Sequence, residues 1–133
     1  MAPETMSTSD KGSYLLVEFF GEFSVEAGKQ CVDRMVEACK EHSKSKVLLD
    51  CRKMTGAMPI LDRYLVADYG ASKGRLLMQL ALLNREGVPL PDNFVENVAV
   101  NRGMNMKVFT DHDEALYWLT GVAPNSSDSG NGK

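Results

Sequence analysis

The stretch that decides the fold is KVLLDCRKMTGAMPILDR, residues 46–63. Its first six residues, 46–51, form a short and largely apolar run, which predicts a buried strand near the centre of a sheet. A polar turn follows. Pro59 then stands in the first turn of a helix, where its missing amide hydrogen costs nothing. A strand, a loop and a helix in succession indicate one unit of an α/β fold.

The same alternation continues on both sides of this stretch. Apolar runs at 14–20 (YLLVEFF), 76–83 (LLMQLALL) and 106–109 (MKVF) predict three more strands. A helix is predicted after each of them, because residues with good N-cap side chains precede apolar residues at helical spacing. These caps are Ser24, Asp92 and Asp111. The order strand, helix, four times over, predicts a largely parallel sheet with right-handed crossovers, partly covered by helices.

Length and composition indicate one globular domain. The chain has 133 residues, of which 44% are hydrophobic and 25% charged, so it can bury a core without disulfides or a structural metal. We expect the domain at residues 13–123, with disordered tails at 1–12 and 124–133, which are polar and have little to bury. The longest apolar run is too short to span a bilayer, so no transmembrane segment is expected.

Charge and cysteine content exclude several classes of protein. The net charge of -3 gives no electrostatic reason for nucleic-acid binding. Three cysteines without C-x-x-C spacing argue against a disulfide framework or a zinc site, and suit a reducing cytoplasm. Residues 111–114 (DHDE) fit a helix cap better than a metal site. No acid, base or nucleophile has a placed companion, so we expect neither an enzyme nor a cofactor or metal.

A polar set after the 46–51 strand is the first candidate site. Ligands of open α/β sheets favour the carboxyl ends of the strands, and a helix start there offers free amide groups. The side chains that could contact a partner or an anion are Arg52, Thr55, Asp62 and Arg63. A solvated loop with a surface ion pair would explain the same residues.

An apolar set is the second candidate site. Methionine and other apolar side chains flanking two helices could line a slot for a small apolar or lipid ligand. The residues are Met54, Met58, Leu61, Leu90 and Phe94. Ordinary core packing is the alternative interpretation.

Three stretches resemble the SpoIIAA-like domains, which are related to the sulphate transporter and anti-sigma antagonist (STAS) domains. They are YLLVEFFGEFS (14–24), KVLLDCRKMTG (46–56) and NRGMNMKVFTDHDEALYWL (101–119). The resemblance covers residues 14–119. It implies a four- to five-stranded mixed sheet, about four helices largely on one face, and a first strand that pairs antiparallel near an edge.

The resemblance also implies a function. Such domains are non-enzymatic regulatory modules of bacteria that bind a protein partner, often an anti-sigma factor or a regulatory kinase, and several are switched by phosphorylation. One branch is grouped with lipid-binding domains. The switch is a serine in an Asp-Ser-Ser-Gly-like turn before the second helix. Here that turn is Gly56-Ala57-Met58-Pro59, and Thr55 is the nearest hydroxyl.

The aromatic residues leave the oligomeric state open. An edge strand together with exposed aromatic side chains would favour a homodimer. The same side chains could belong to the core of a monomer instead. The residues concerned are Phe19, Phe20, Phe23 and Trp118.

Overall fold

The computed structural model describes residues 6–56, 59–74, 79–84 and 103–122. The strands are β1 (Met6–Asp10), β2 (Leu15–Glu22), β3 (Lys46–Thr55), β4 (Gln79–Leu83) and β5 (Asn105–Phe109). The helices are α1 (Val25–His42), α2 (Ile60–Gly74) and α3 (His112–Thr120). The helix predicted to begin at Asp92 falls almost entirely outside the described residues, as does the C-terminal tail at 124–133.

All five strands form one sheet in the order β1-β2-β3-β4-β5. The pair β1 and β2 is antiparallel, and every other neighbouring pair is parallel. β3 lies at the centre, as its continuous apolar run predicts. The largely parallel sheet that the alternation predicts, and the mixed five-stranded sheet that the resemblance implies, are thereby confirmed.

The edge strand β1 corrects one prediction. Residues 6–10 were expected in a disordered tail, yet they pair with β2 from Met6↔Phe19 to Asp10↔Leu15. In the sequence MSTSD, apolar and polar residues do not alternate, so the sequence does not predict a strand there. Its stability comes instead from backbone hydrogen bonds to the edge of β2 and from Met6, which packs against the core.

The two faces of the sheet carry separate apolar clusters. Alternate residues of β3 divide between them: Val47 and Leu49 face α1 and α2, whereas Leu48 faces α3. This follows from the two-residue period of a strand. Two of the three described helices therefore cover one face and the third covers the other. Phe109 and Trp118 pack on the α3 face with ring centroids 5.7 Å apart.

The predicted helix starts at Ser24 and Asp111 are confirmed. The Ser24 hydroxyl accepts a hydrogen bond from the Ala27 amide at 3.0 Å, and the Asp111 carboxylate accepts one from the Asp113 amide at 3.2 Å. Each bond satisfies an amide that the first helical turn leaves without a backbone partner. No helix in the described ranges is long and apolar enough to cross a membrane.

Helices α1 and α2 approach closely because glycine stands at their contact. A Cβ built at Gly28 of α1 would lie 2.7 Å from Val66 Cγ2 of α2. A hydrogen bond also joins the two helices, since the Tyr69 hydroxyl donates to the Asp33 carboxylate at 2.8 Å. The absence of a side chain at Gly28 thus sets the distance between the two helices.

Candidate functional site

A bulge near the carboxyl end of β3 shapes the first part of the site. Pairing with β2 runs from Glu18↔Asp50 to Phe20↔Lys53, so β3 has one extra residue between these pairs. The Asp50 carboxylate accepts hydrogen bonds from the Arg52 backbone amide at 3.0 Å and from its guanidinium at 2.8 and 3.0 Å. The Asp50 side chain therefore hydrogen-bonds to both the backbone amide and the guanidinium of Arg52, which lies in the bulge.

The pKa of Asp50 reports this arrangement. Desolvation of the carboxyl group raises its pKa, but the hydrogen bonds and charge of Arg52 outweigh that effect, so the pKa lies below its ordinary value. The Arg52 side chain is 45% exposed, compared with 10% for Asp50. Arg52 is thus fixed in direction while its guanidinium remains accessible to a partner.

The bulge also changes which face the last residues of β3 present. Cys51 is buried on the α1 and α2 face. Without the extra residue, Lys53 would be the next side chain on that face, by simple alternation. With it, Met54 is buried there and Lys53 is exposed. The sequence predicted β3 to end at 51, because Arg52 and Lys53 look like the exit from a buried strand.

Thr55 and Gly56 close β3 beside Glu22. Thr55 is exposed and is the register partner of Glu22, and its carbonyl accepts a hydrogen bond from the Phe23 amide at 2.9 Å. Gly56 has a φ of 89°, and a Cβ there would lie 2.9 Å from Glu22 Cγ. Glycine is required at this position for both reasons. A carboxylate thus stands next to the nearest candidate hydroxyl.

The first turns of α2 expose apolar side chains. Leu61 is 66% exposed and Leu65 is 40% exposed. Residues four apart lie on the same side of a helix, so these two leucines form one apolar patch. Asp62 and Arg63, two of the predicted contact residues, are each half-buried. Leu65 was not among the predicted contact residues, although its i, i+4 spacing from Leu61 indicates that both lie on the same side of the helix.

A cavity of about 130 Å³ lies between the sheet and helices α1 and α2. Fifteen of the seventeen described residues that line it are apolar, cysteine or glycine side chains, and the polar two are Arg63 and Asn84. The cavity takes lining residues from four strands, β2 to β5, as well as from both helices. It is therefore bounded mainly by residues of the larger apolar cluster.

Of the residues predicted to line an apolar slot, one is found among the described residues that line this cavity. Met54 lines it, whereas Leu61 points to solvent on another side of α2. Met58, Leu90 and Phe94 lie outside the described residues. The predicted partner-binding residues are also divided, because Arg63 lines the cavity while Arg52 and Thr55 are on the surface.

Two thiols that face the cavity are poor nucleophiles. All three cysteines are free and buried, as the sequence predicts. Burial raises the pKa of Cys31 to about 12, and it raises that of Cys51 further above the ordinary value. The thiolate, which is the reactive form, is therefore scarce at neutral pH. Within the described ranges, no group of three His, Cys, Asp or Glu residues is placed to hold a metal ion.

The aromatic residues named for a homodimer are mostly internal. Phe19 is buried in the core, and Phe23 and Trp118 are partly buried against the two apolar clusters. Phe20 alone among these four is exposed, at 37%. Three of the four side chains therefore serve core packing.

Solved structures establish what fold this arrangement is. An anti-sigma factor antagonist from Mycobacterium paratuberculosis matches 86% of this chain and 92% of its own, with a TM-score of 0.57 and 14% identity. The anti-sigma factor antagonist SpoIIAA in its unphosphorylated form matches 89% of this chain and 98% of its own, with a TM-score of 0.52 and 16% identity. No protein-family model matches the chain, and no curated protein matches it significantly. The chain therefore has the SpoIIAA-like fold of the STAS domains.

Proposed function

We propose that the chain is a non-enzymatic regulatory module that binds a protein partner through the end of β3 and the start of α2. The observation that carries this proposal is the exposed pair Leu61 and Leu65 on the first turns of α2. This helix starts at the edge where the parallel strands end, and Arg52 and Thr55 at the end of β3 are exposed at the same edge. An apolar centre with a polar rim is the usual composition of a protein interface.

The residue types on this surface indicate which chemical groups a partner would need in order to bind it. We define the α2 surface as Arg52, Thr55, Leu61, Asp62 and Leu65. Its two leucines suit a shallow apolar groove on the partner. Arg52, which is held in direction by Asp50, suits a carboxylate of the partner at the carboxyl edge of the sheet. An anti-sigma factor or a regulatory kinase in a bacterial cytoplasm is the partner class that the likeness to anti-sigma factor antagonists favours.

The candidate residue for switching by phosphorylation is Thr55, because the turn 56–59 has no hydroxyl and Thr55 directly precedes it. A phosphate there would add about two negative charges next to Glu22. Like charges on register partners repel each other. We infer that modification of Thr55 would weaken both the local structure and the binding of an acidic partner.

The test is capture of proteins from cell lysate with matched variants. Leu61→Asp places a charge in the α2 surface, and Val122→Asp is the control, because Val122 is 59% exposed beyond the end of α3. A true partner is recovered equally by the unmodified protein and Val122→Asp, and at least about tenfold less by Leu61→Asp, as expected for a residue central to an interface.

Two follow-up measurements sharpen this test. Purified partner should bind Asp62→Ala and Arg52→Ala more weakly than the unmodified protein, and Thr55→Glu more weakly than Thr55→Ala. Circular dichroism establishes that each variant is folded. If the recovered proteins are the same for Leu61→Asp and Val122→Asp, the α2 surface is not the binding site and the proposal fails.

A further inference from the structure

The cavity between the sheet and the two helices has the composition of a ligand site. Its roof consists of inward residues of α1 and α2, spaced three and four apart, and its floor consists of alternate residues of β2 to β5. Small-molecule sites are typically apolar with a few convergent polar groups. This inference goes beyond partner binding and does not depend on it.

The volume limits the size of the ligand. An apolar cavity of about 150 Å³ accepts one benzene molecule. The present cavity measures about 130 Å³. It is slightly smaller than a benzene site, so an alkyl chain of about five carbon atoms is the largest apolar body that it would hold.

The polar lining residues lie at one end of the cavity. Asn84 directly follows β4, and Arg63 is in the first turn of α2, which follows β3. Both therefore lie where parallel strands end, and Asn84 is 6% exposed. A guanidinium and an amide supply donors for two oxygen atoms of one group. Phe23 and Met54 line the cavity near the same end, and the additional oxygens of a phosphate would lose hydration against them.

We propose that this cavity binds a short monocarboxylic acid, with the apolar body between sheet and helices and the carboxylate at Arg63 and Asn84. The ligand would lie directly beneath the first turns of α2. It would contact Val66 and Ala67 of α2 on one side and the strands on the other, since both line the cavity. The bound acid is thus an internal component of the fold as well as a ligand.

The test is a methyl-group NMR titration of the full chain with hexanoate and, separately, hexan-1-ol. Hexanoate should shift the methyl signals of Leu49, Leu82 and Val66, which line the cavity, and leave those of Leu48 and Leu119 on the α3 face unchanged. Its dissociation constant should be at least about tenfold lower than that of the alcohol, because a charge-assisted hydrogen bond replaces a neutral one.

Variants separate the carboxylate contact from the apolar contact. Arg63→Gln should weaken the binding of hexanoate much more than that of hexan-1-ol, so that the two dissociation constants become nearly equal and their ratio falls. Arg34→Gln is its matched control, because Arg34 has the same charge but pairs with Glu37 on the surface of α1. Ala67→Leu should weaken both ligands by filling the cavity. If that variant does not fold, the arginine comparison still decides the result.

The outcomes are distinct. A ratio that falls in Arg63→Gln but not in Arg34→Gln supports the proposal. No saturable binding, equal binding of acid and alcohol, or shifts confined to the α3 face would overturn it. None of these results depends on whether the α2 surface binds a protein.

Discussion

Replacing Gly28 by alanine tests how closely α1 and α2 pack, and Gly70 supplies a matched control. A Cβ at Gly28 would lie 2.7 Å from Val66 Cγ2 and 3.0 Å from Val66 Cγ1. A Cβ at Gly70, on α2, would lie 3.5 Å from Val32 Cγ2, which is ordinary van der Waals contact. Both glycines are buried within helices that contact each other, so they differ mainly in available space.

The magnitudes follow from two opposing effects. Alanine inside a helix is more favourable than glycine by about 1 kcal/mol. Overpacking a core costs about 1–3 kcal/mol, and a β-branched neighbour cannot rotate freely to avoid the new methyl group. We therefore expect Gly70→Ala to raise the free energy of unfolding by up to about 1 kcal/mol, and Gly28→Ala to be less stable than Gly70→Ala by about 1–3 kcal/mol.

The assay is urea denaturation followed by circular dichroism, with equal slopes required for the comparison. The same Gly28→Ala change should become stabilising in a Val66→Ala background, where the two offending methyl groups are absent. Equal stabilities for Gly28→Ala and Gly70→Ala in the natural background would refute the close approach of the two helices.

The Cys31 thiol should react with a disulfide reagent at least about tenfold more slowly than an exposed thiol at pH 8, because burial raises its pKa from 9.0 to about 12 and so lowers the fraction of thiolate, an effect only partly offset by the greater nucleophilicity of a high-pKa thiolate. A rapid reaction in the folded protein would contradict this, and denaturation in urea should restore the ordinary rate. Asp50→Asn should lower the free energy of unfolding at pH 7 by about 1 kcal/mol. The pKa of Asp50 is lowered by its bonds to Arg52, so the stabilisation is present above the ordinary carboxyl pKa and is lost as pH falls through the lowered one. The variant and the unmodified protein should therefore converge in stability in acid, and a constant difference between them would count against the pair. Thr55→Glu should destabilise by about 0.2–1 kcal/mol through repulsion from Glu22, and Glu22→Gln should abolish that cost in a double-mutant cycle.

The strands with continuous apolar runs were predictable because burial on both faces leaves a dense signal. Residues 79–83, for example, form a strand as predicted, although their propensity also suits a helix. β1 was not predictable in this way. Its sequence MSTSD is polar, and its place in the sheet depends on the free edge of β2, which is a property of the assembled fold.

The positions of the candidate site residues were predictable only in part. Arg52, Thr55 and Asp62 lie at the sheet edge that the strand-loop-helix pattern indicates. Leu61 was assigned to an apolar slot because it is apolar and near Met54. At about 100° per residue, however, it lies about 140° around α2 from Val66, which faces the cavity. The cavity residues come from six elements, and only the folded chain brings them together.

The bulge in β3 has a consequence for how this sequence is compared with others. The strand follows one phase of alternation up to Cys51 and the opposite phase from Met54 onward. A related chain without the extra residue would match it only with a one-residue gap inside a central strand, where alignments ordinarily allow none. An alignment without gaps can thus match the residues before Arg52 or those after it, but not both. The sequence identity of two such chains will therefore understate how similar their structures are.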